Sequence, residues 1–293
     1  MAPGYLANFM DCGGRLQFHR QIPPQTPWRH AGLRSRISHS MTSRVRLWTE
    51  IALVLGLSLG MSALYSIVGI TVRLTREQAL SEQTATLNRP ASDLEWADAT
   101  YQLLGIVSSL VPVALVAYLL WSSTRPRLGA LGLDASRPVR DTVIGIGLAA
   151  MIGIPGLGVY LLGRELNLTV TVVPTALNTY WWTVPMLILL ALRAGILEEV
   201  IAVGYLFARL RELAVPLWVI IIAQSFLRAT YHLYQGFGAF AGNFAMGLIF
   251  GAIYAKTGRL APLIVGHTLI DVVAFVGYPV AVNFMPEILG NEG

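Results

Sequence analysis

Long apolar runs are the feature that most restricts how this chain can fold. A helix needs about 20 consecutive apolar residues to cross the hydrocarbon core of a bilayer. Runs of this kind lie near residues 51–73, 101–121, 141–163, 179–207, 215–235, 238–255 and 261–281. With 55% hydrophobic and only 13% charged residues, the chain has too few polar side chains to cover a water-soluble globule. The pattern predicts an all-α, polytopic transmembrane helix bundle of seven spans, or eight if the long run 179–207 includes a second crossing or a re-entrant piece.

The distribution of charge predicts the orientation of the chain and excludes one class of partner. Arginine and lysine side chains precede the first run and fill the segments between runs two and three, four and five, and six and seven. The positive-inside rule places these segments in the cytoplasm. We therefore expect a multi-pass protein of the plasma membrane with a cytoplasmic N-terminus. The basic residues form no stripe with interleaved aromatics, so nucleic acid is not an expected partner.

The N-terminal segment differs in composition from the rest of the chain. Residues 1–46 are rich in proline, glycine, arginine and histidine and lack the apolar core of a secretory signal. They are predicted to form a disordered basic tail, with Met41 as an alternative start. Cys12 is the single cysteine, which excludes an internal disulfide and a cysteine-rich metal site. Residues 47–285 are predicted to form one transmembrane domain.

Ionisable side chains inside the last apolar runs predict a functional site. On insertion scales, an acidic or basic side chain at the centre of a membrane helix costs about 2.5–3.5 kcal/mol, so such residues are retained for a reason. Three runs carry them in this chain. The residues are Glu198, Glu199, Arg228, His232, His267 and Asp271.

The spacing of these residues favours convergence on one site. His267 and Asp271 are four residues apart and so share one face of a helix, and Arg228 and His232 repeat that spacing. A carboxylate beside a histidine can fix its tautomer or join it as a metal ligand. A structural alternative pairs the glutamates with Arg193 or Arg228 only to stabilise the bundle.

The motifs around these residues resemble those of the CPBP family of intramembrane proteases, which includes CaaX prenyl endopeptidases and bacteriocin-processing enzymes. The resemblance covers about residues 179–276. It rests on three motifs: the Glu198-Glu199 pair followed by Gly-Tyr-Leu, then Tyr-His232-Leu, then His267-Thr-Leu-Ile-Asp271.

Two positions depart from the family pattern. The arginine four residues after the second glutamate is replaced by Val203, and the phenylalanine four residues before the second-motif histidine is replaced by Arg228. We hypothesise that Arg228 supplies the missing cation from a neighbouring helix.

The resemblance implies catalytic roles for these residues. Glu198 corresponds to the general base that activates a water with the help of His232, while His267 and Asp271 correspond to the pair that stabilises the oxyanion; Glu199 completes the glutamate pair. The family has also been interpreted as metalloproteases. A divalent metal such as zinc, held by Glu198, His232 and His267, therefore remains the alternative to a glutamate mechanism without a cofactor.

Together these observations predict an intramembrane endopeptidase that hydrolyses peptide bonds of membrane-embedded or lipidated protein substrates. Two other functions remain open from the residues alone. One is a non-catalytic membrane scaffold or immunity protein that keeps the site as a binding pocket. The other is a proton-coupled transporter in which the glutamates and histidines form a relay.

Overall fold

The structure, a computed structural model, describes residues 29–120 and 129–277. The chain divides into two units, residues 1–43 and 44–293, and the candidate site lies in the second. Most of the described residues are helical. The helices are α1 (Arg29–Gly56), α2 (Leu59–Leu74), α3 (Glu95–Leu119), α4 (Pro138–Glu165), α5 (Thr183–Glu198), α6 (Leu206–Glu212), α7 (Leu217–His232), α8 (Phe237–Thr257) and α9 (Ala261–Val272).

Helix α1 begins inside the segment that the sequence predicts as a disordered tail. Its first residue is Arg29, whereas the tail was expected to extend to residue 46. The sequence from residue 30 to Gly56 contains no proline, so no missing backbone N–H interrupts the helix on the N-terminal side of the apolar run. Residues 1–28 of the predicted tail lie outside the described residues.

The expected count of seven spans is not confirmed. In the described part of the chain, α3, α4 and α8 are long and apolar enough to cross a membrane. A bent pair, Ser43–Gly56 with Leu59–Leu74, adds a fourth span if it crosses as one broken helix. The remaining runs form shorter α-helices, because α5 and α7 have 16 residues each and α9 has 12. Only 11% of the apolar windows of α3 and α4 is buried, so their apolar side chains face outward, as they do in lipid.

A break between α1 and α2 divides the run predicted as a single straight span. The two helices meet at 56°. The hydroxyl of Ser58 donates a hydrogen bond back to the carbonyl of Val54 at 2.6 Å, a local bond that bends helices. A Cβ at Gly60 would lie 2.7 Å from the carbonyl oxygen of Leu55, so the bend requires glycine at this position.

A small parallel sheet is an exception to the predicted all-α architecture. Strand β1 (Thr84–Asn88) pairs with strand β2 (Thr171–Thr175), with Thr84 opposite Thr171. Both strands follow a membrane helix and are rich in β-branched residues. The segment between the first two apolar runs is therefore partly ordered as a strand.

Close helix contacts position the last five helices. A Cβ at Gly195 of α5 would lie 2.6 Å from the hydroxyl of Thr268 of α9, and one at Gly247 of α8 would lie 2.7 Å from the Cα of Ser225 of α7. Backbones can approach this closely only where side chains are absent. These contacts fix the separation of the helices that carry the ionisable residues.

Candidate active site

A change of helix type marks the glutamate pair. Helix α5 ends at Glu198, and a π-helical segment, Glu199–Tyr205, follows it before α6. The whole segment is buried. Single π-turns within α-helices are rare and occur frequently at functional sites. The sequence pattern gave no indication of this segment, because an apolar run does not distinguish the two helix types.

Arg228 of α7 connects both carboxylates. Its Nη2 donates to Oε1 of Glu199 at 2.5 Å, and its Nη1 donates to Oε2 of Glu198 at 3.4 Å. The guanidinium is fully buried and lies over the ring of Phe250, 5.6 Å from the ring centroid. The structure thus places a cation from a neighbouring helix against the glutamate pair. The arginine of the resembling family pattern instead follows the second glutamate by four residues in the sequence.

Glu199, rather than Asp271, holds the Nδ1 side of His267. The Nδ1 atom lies 2.7 Å from Oε1 of Glu199. An ionised carboxylate only accepts hydrogen bonds, so Nδ1 carries a hydrogen in this arrangement. The other ring nitrogen, Nε2, faces Oδ2 of Asp271 at 3.6 Å and Oε2 of Glu198 at 3.8 Å. His267 is therefore oriented by one carboxylate and presents its second nitrogen to the other two.

His232 is the last residue of α7 and also approaches Glu198. Its Nε2 lies 3.7 Å from Oε2 of Glu198. Its Nδ1 lies 3.4 Å from the side-chain nitrogen of Gln235, in the 3₁₀ turn Leu233–Gln235 that follows the helix. The imidazole is therefore contacted at both nitrogens.

Tyr231 and Gln235 are contacts that the sequence analysis missed. The phenolic hydroxyl of Tyr231 donates to Oε2 of Glu198 at 2.6 Å, the shortest bond that this carboxylate receives in the described structure. Two signals could have pointed to them. Tyr231 directly precedes the histidine of the second motif, and Gln235 lies three residues after it, within reach on the same helical turn.

Burial differs between the two sides of the cluster. The side chains of Arg228 and Glu199 are fully buried, whereas those of Glu198, His232 and Asp271 are 12%, 21% and 20% exposed. A water or substrate can therefore reach the second group but not the first. The cluster has a sealed side that carries the cation and an open side that carries the three groups able to contact a reactant.

The three predicted metal ligands meet around one carboxylate oxygen, Oε2 of Glu198. Oε2 of Glu198 lies 3.7 Å from Nε2 of His232 and 3.8 Å from Nε2 of His267, while tetrahedral zinc with bonds of about 2.0–2.1 Å holds its ligand atoms closer together. Among the residues that the structure describes, no group of three or more His, Cys, Asp or Glu side chains has the arrangement of a metal site. The same oxygen of Glu198 also accepts the bond from Tyr231.

Comparison with known proteins agrees with the family predicted from the motifs. Residues 180–273 match the model of the Rce1-like family, described as type II CAAX prenyl endopeptidase Rce1-like, so this segment is similar to that family, as the motifs predict. The match includes every residue of the cluster described above. No curated protein and no solved structure matched the chain.

Proposed function

We propose that this protein is an intramembrane endopeptidase that cleaves membrane-associated, prenylated or otherwise lipidated protein substrates with a water activated by Glu198. The single observation that carries the proposal is the convergence of His232 and His267 on Glu198, with Glu198 and His232 on the open side of the cluster. The family match supports the reaction class, because its description names a CAAX prenyl endopeptidase.

In the proposed mechanism, Glu198 is the general base. A water between Glu198 and His232 loses a proton to the carboxylate as its oxygen attacks the carbonyl carbon of the scissile peptide bond. The proton then passes from Glu198 to the leaving amine as the C–N bond breaks. Every step uses groups of the chain and one water, so no step requires a metal.

His267 stabilises the oxyanion as an imidazolium in this proposal. Its Nδ1–H donates to Glu199, and its Nε2–H is free to donate to the carbonyl oxygen that becomes negatively charged. The carboxylates of Glu198 and Asp271 beside Nε2 favour the charged ring. Asp271 does not itself donate to the oxyanion, because an ionised carboxylate cannot donate a hydrogen bond.

Arg228 and Tyr231 position the base. Both bind Oε2 of Glu198, which leaves Oε1 for the water. A rigid, pre-oriented base avoids reorganisation during the reaction. In this role Arg228 substitutes for the arginine that the family pattern has at the position of Val203.

We further propose that the protein lies in the plasma membrane with the loop before α4 in the cytoplasm. In a Cys12→Ser background, Ala135→Cys is expected to resist a membrane-impermeant maleimide in intact cells, while Asp93→Cys is labelled. Both side chains are exposed in the structure, so a difference between them reports sidedness. The reverse labelling pattern would invert the proposed orientation.

The direct test of the activity uses protein reconstituted in liposomes and a fluorescence-quenched peptide with an S-farnesylated cysteine fourth from its carboxyl end. Wild type and Glu212→Gln are expected to cleave it, and Glu198→Gln is not. Glu212 is a matched control because it is half-exposed at the end of α6, distant from the cluster. Equal cleavage by Glu198→Gln and wild type would refute the proposed base.

A further inference from the structure

Among the described residues, Arg193 is a cation without an ion-pair partner, in the middle of helix α5. It lies in α5, five residues before Glu198, and it is only half-buried. Its Nε is buried and has no hydrogen-bond partner, and among the described residues its side chain forms no ion pair. Its one interaction is electrostatic, with the carboxylate of Asp271. A cation in hydrocarbon is costly when unpaired, so Arg193 requires a further explanation.

In the described structure, Asp271 lacks a hydrogen-bond donor, just as Arg193 lacks an acceptor. Its one ion-pair contact in the described structure is the 3.6 Å approach of His267 Nε2, and it accepts no hydrogen bond there. Its side chain is one-fifth exposed, on the open side of the cluster. In the described structure, Arg193 thus offers a hydrogen-bond donor and Asp271 an acceptor that are not used. Their charges interact, but the two side chains are too far apart to form an ion pair.

The gap lies beside the reaction site at a defined distance from it. Helices α5 and α9 run antiparallel, because Leu187 shares a hydrophobic cluster with Phe275, beyond the end of α9, while Gly195 meets Ile264 and Thr268. Arg193 is therefore displaced from Glu198 in the same direction as Asp271 is displaced from His267. At 1.5 Å per residue these displacements are about 7.5 Å and about 6 Å. An extended peptide covers that distance in about two residues, at about 3.3–3.6 Å each.

The balance of charge decides what the gap can hold. With His267 as an imidazolium, the site contains three cations and three carboxylates. A neutral ligand therefore keeps the site neutral, whereas an anionic ligand leaves an excess negative charge in hydrocarbon. A peptide group is neutral and offers one donor and one acceptor. The charged groups counted are Arg193, Arg228, His267, Glu198, Glu199 and Asp271.

We propose that Arg193 and Asp271 form a subsite for one peptide group of the substrate, about two residues from the scissile bond. Arg193 donates to the carbonyl oxygen and Asp271 accepts from the N–H. The inference rests on the proposed function, since it names a specificity site for that reaction. It also gives the Asp271 carboxylate a role as a hydrogen-bond acceptor, whereas an oxyanion requires a donor.

The test measures equilibrium binding, which does not depend on cleavage. Binding of the S-farnesylated peptide described above is measured by fluorescence polarisation in the Glu198→Gln background, so that the peptide stays intact. Arg193→Leu is expected to raise Kd at least tenfold and Arg193→Gln, which keeps an N–H donor, to raise it less. Leu192→Ala, an exposed neighbour on the same helix, is the matched control and leaves Kd unchanged.

Ester-containing peptides identify the group that is bound. Each peptide N–H is replaced in turn by an ester oxygen, and Kd is expected to rise at one position only. The ester at that position is expected to have no effect on Kd in Asp271→Leu. It is expected still to raise Kd in Asp271→Asn, which retains an acceptor. An unchanged Kd for Arg193→Leu would overturn the proposal. So would a dependence on Arg193 that disappears when the peptide's C-terminal carboxylate is amidated, since the cation would then bind that carboxylate. If the subsite exists but the proposed function is wrong, this binding pattern is observed although the wild type does not cleave the peptide.

Discussion

Replacing Arg228 tests how the site is held together. The substitution Arg228→Phe, which introduces the residue of the family pattern, removes the cation that contacts Glu198 and Glu199. One of these carboxylates is fully buried and the other nearly so. Breaking a buried ion pair by removing one partner costs about 3–5 kcal/mol, because the remaining charge stays buried without compensation.

We therefore expect Arg228→Phe to lower the free energy of unfolding by about that amount and to abolish cleavage. Arg228→Lys keeps the charge but cannot present two nitrogens in a planar fork, so it is expected to lie between wild type and Arg228→Phe in both properties. Unfolding is followed by thermal denaturation in detergent, and cleavage with the farnesylated peptide at matched amounts of folded protein.

The compensating variant gives the sharper result. Adding Val203→Arg to Arg228→Phe restores the family pattern at both positions, and we expect it to recover cleavage relative to Arg228→Phe alone. Val203→Leu in the same background controls for added bulk at this fully buried position. The reasoning is refuted if Arg228→Phe cleaves as wild type does, or if the folded double variant is no more active than the single one.

The remaining predictions concern other contacts. Tyr231→Phe removes the 2.6 Å bond to Glu198; a hydrogen bond to a charged group contributes about 1.5–3 kcal/mol, so kcat is expected to fall about 10- to 150-fold with the fold intact, and an unchanged kcat contradicts the positioning role. EDTA or 1,10-phenanthroline is expected to leave cleavage unchanged, whereas a loss that zinc restores would favour Glu198, His232 and His267 as metal ligands. In the loop before α4, the hydroxyl and backbone N–H of Ser136, with Arg259, hold the pKa of Asp134 below its usual value. A lowered pKa stabilises the folded state above the ordinary value of about 3.9 and ceases to do so as pH falls towards the lowered one. Wild type is thus expected to have a higher unfolding midpoint than Asp134→Asn at pH 7, and the difference is expected to be smaller at pH 3. A difference of the same size at both pH values would contradict this.

Much of the candidate site could be predicted because ionisable residues are conspicuous in apolar sequence. Glu198, Glu199, His232 and His267 were all recognised this way, and the structure brings them within contact distance of one another. The proximity of Arg228 to the carboxylates followed from its four-residue spacing to His232.

The contacts among these residues were harder to predict than their convergence. The partner of His267 Nδ1 is Glu199 rather than the helical neighbour Asp271, since a residue on another helix is closer to that atom than one a turn away. The sequence shows Tyr231 only as the neighbour of His232 in the second motif, and the tertiary structure shows that its hydroxyl meets a carboxylate.

The fold was predicted in class but not in detail. Apolar runs identify membrane helices, yet they do not reveal where a helix breaks, as between Gly56 and Leu59, or widens, as at Glu199. The strands Thr84–Asn88 and Thr171–Thr175 are short and pair with a distant segment, so local periodicity carries little signal for them. The strand pairing depends on tertiary contacts, whereas the helix break comes from local contacts that apolar periodicity does not report.

The most direct test of the central claim compares new protein N-termini in membranes from cells that carry the wild type, Glu198→Gln or the control Glu212→Gln at matched expression. The account predicts a set of cleavage products that is present with the wild type and the control and absent with Glu198→Gln, while all three proteins remain folded. Identical N-termini in all three under several growth conditions would contradict proteolysis by Glu198 and favour a non-catalytic membrane scaffold.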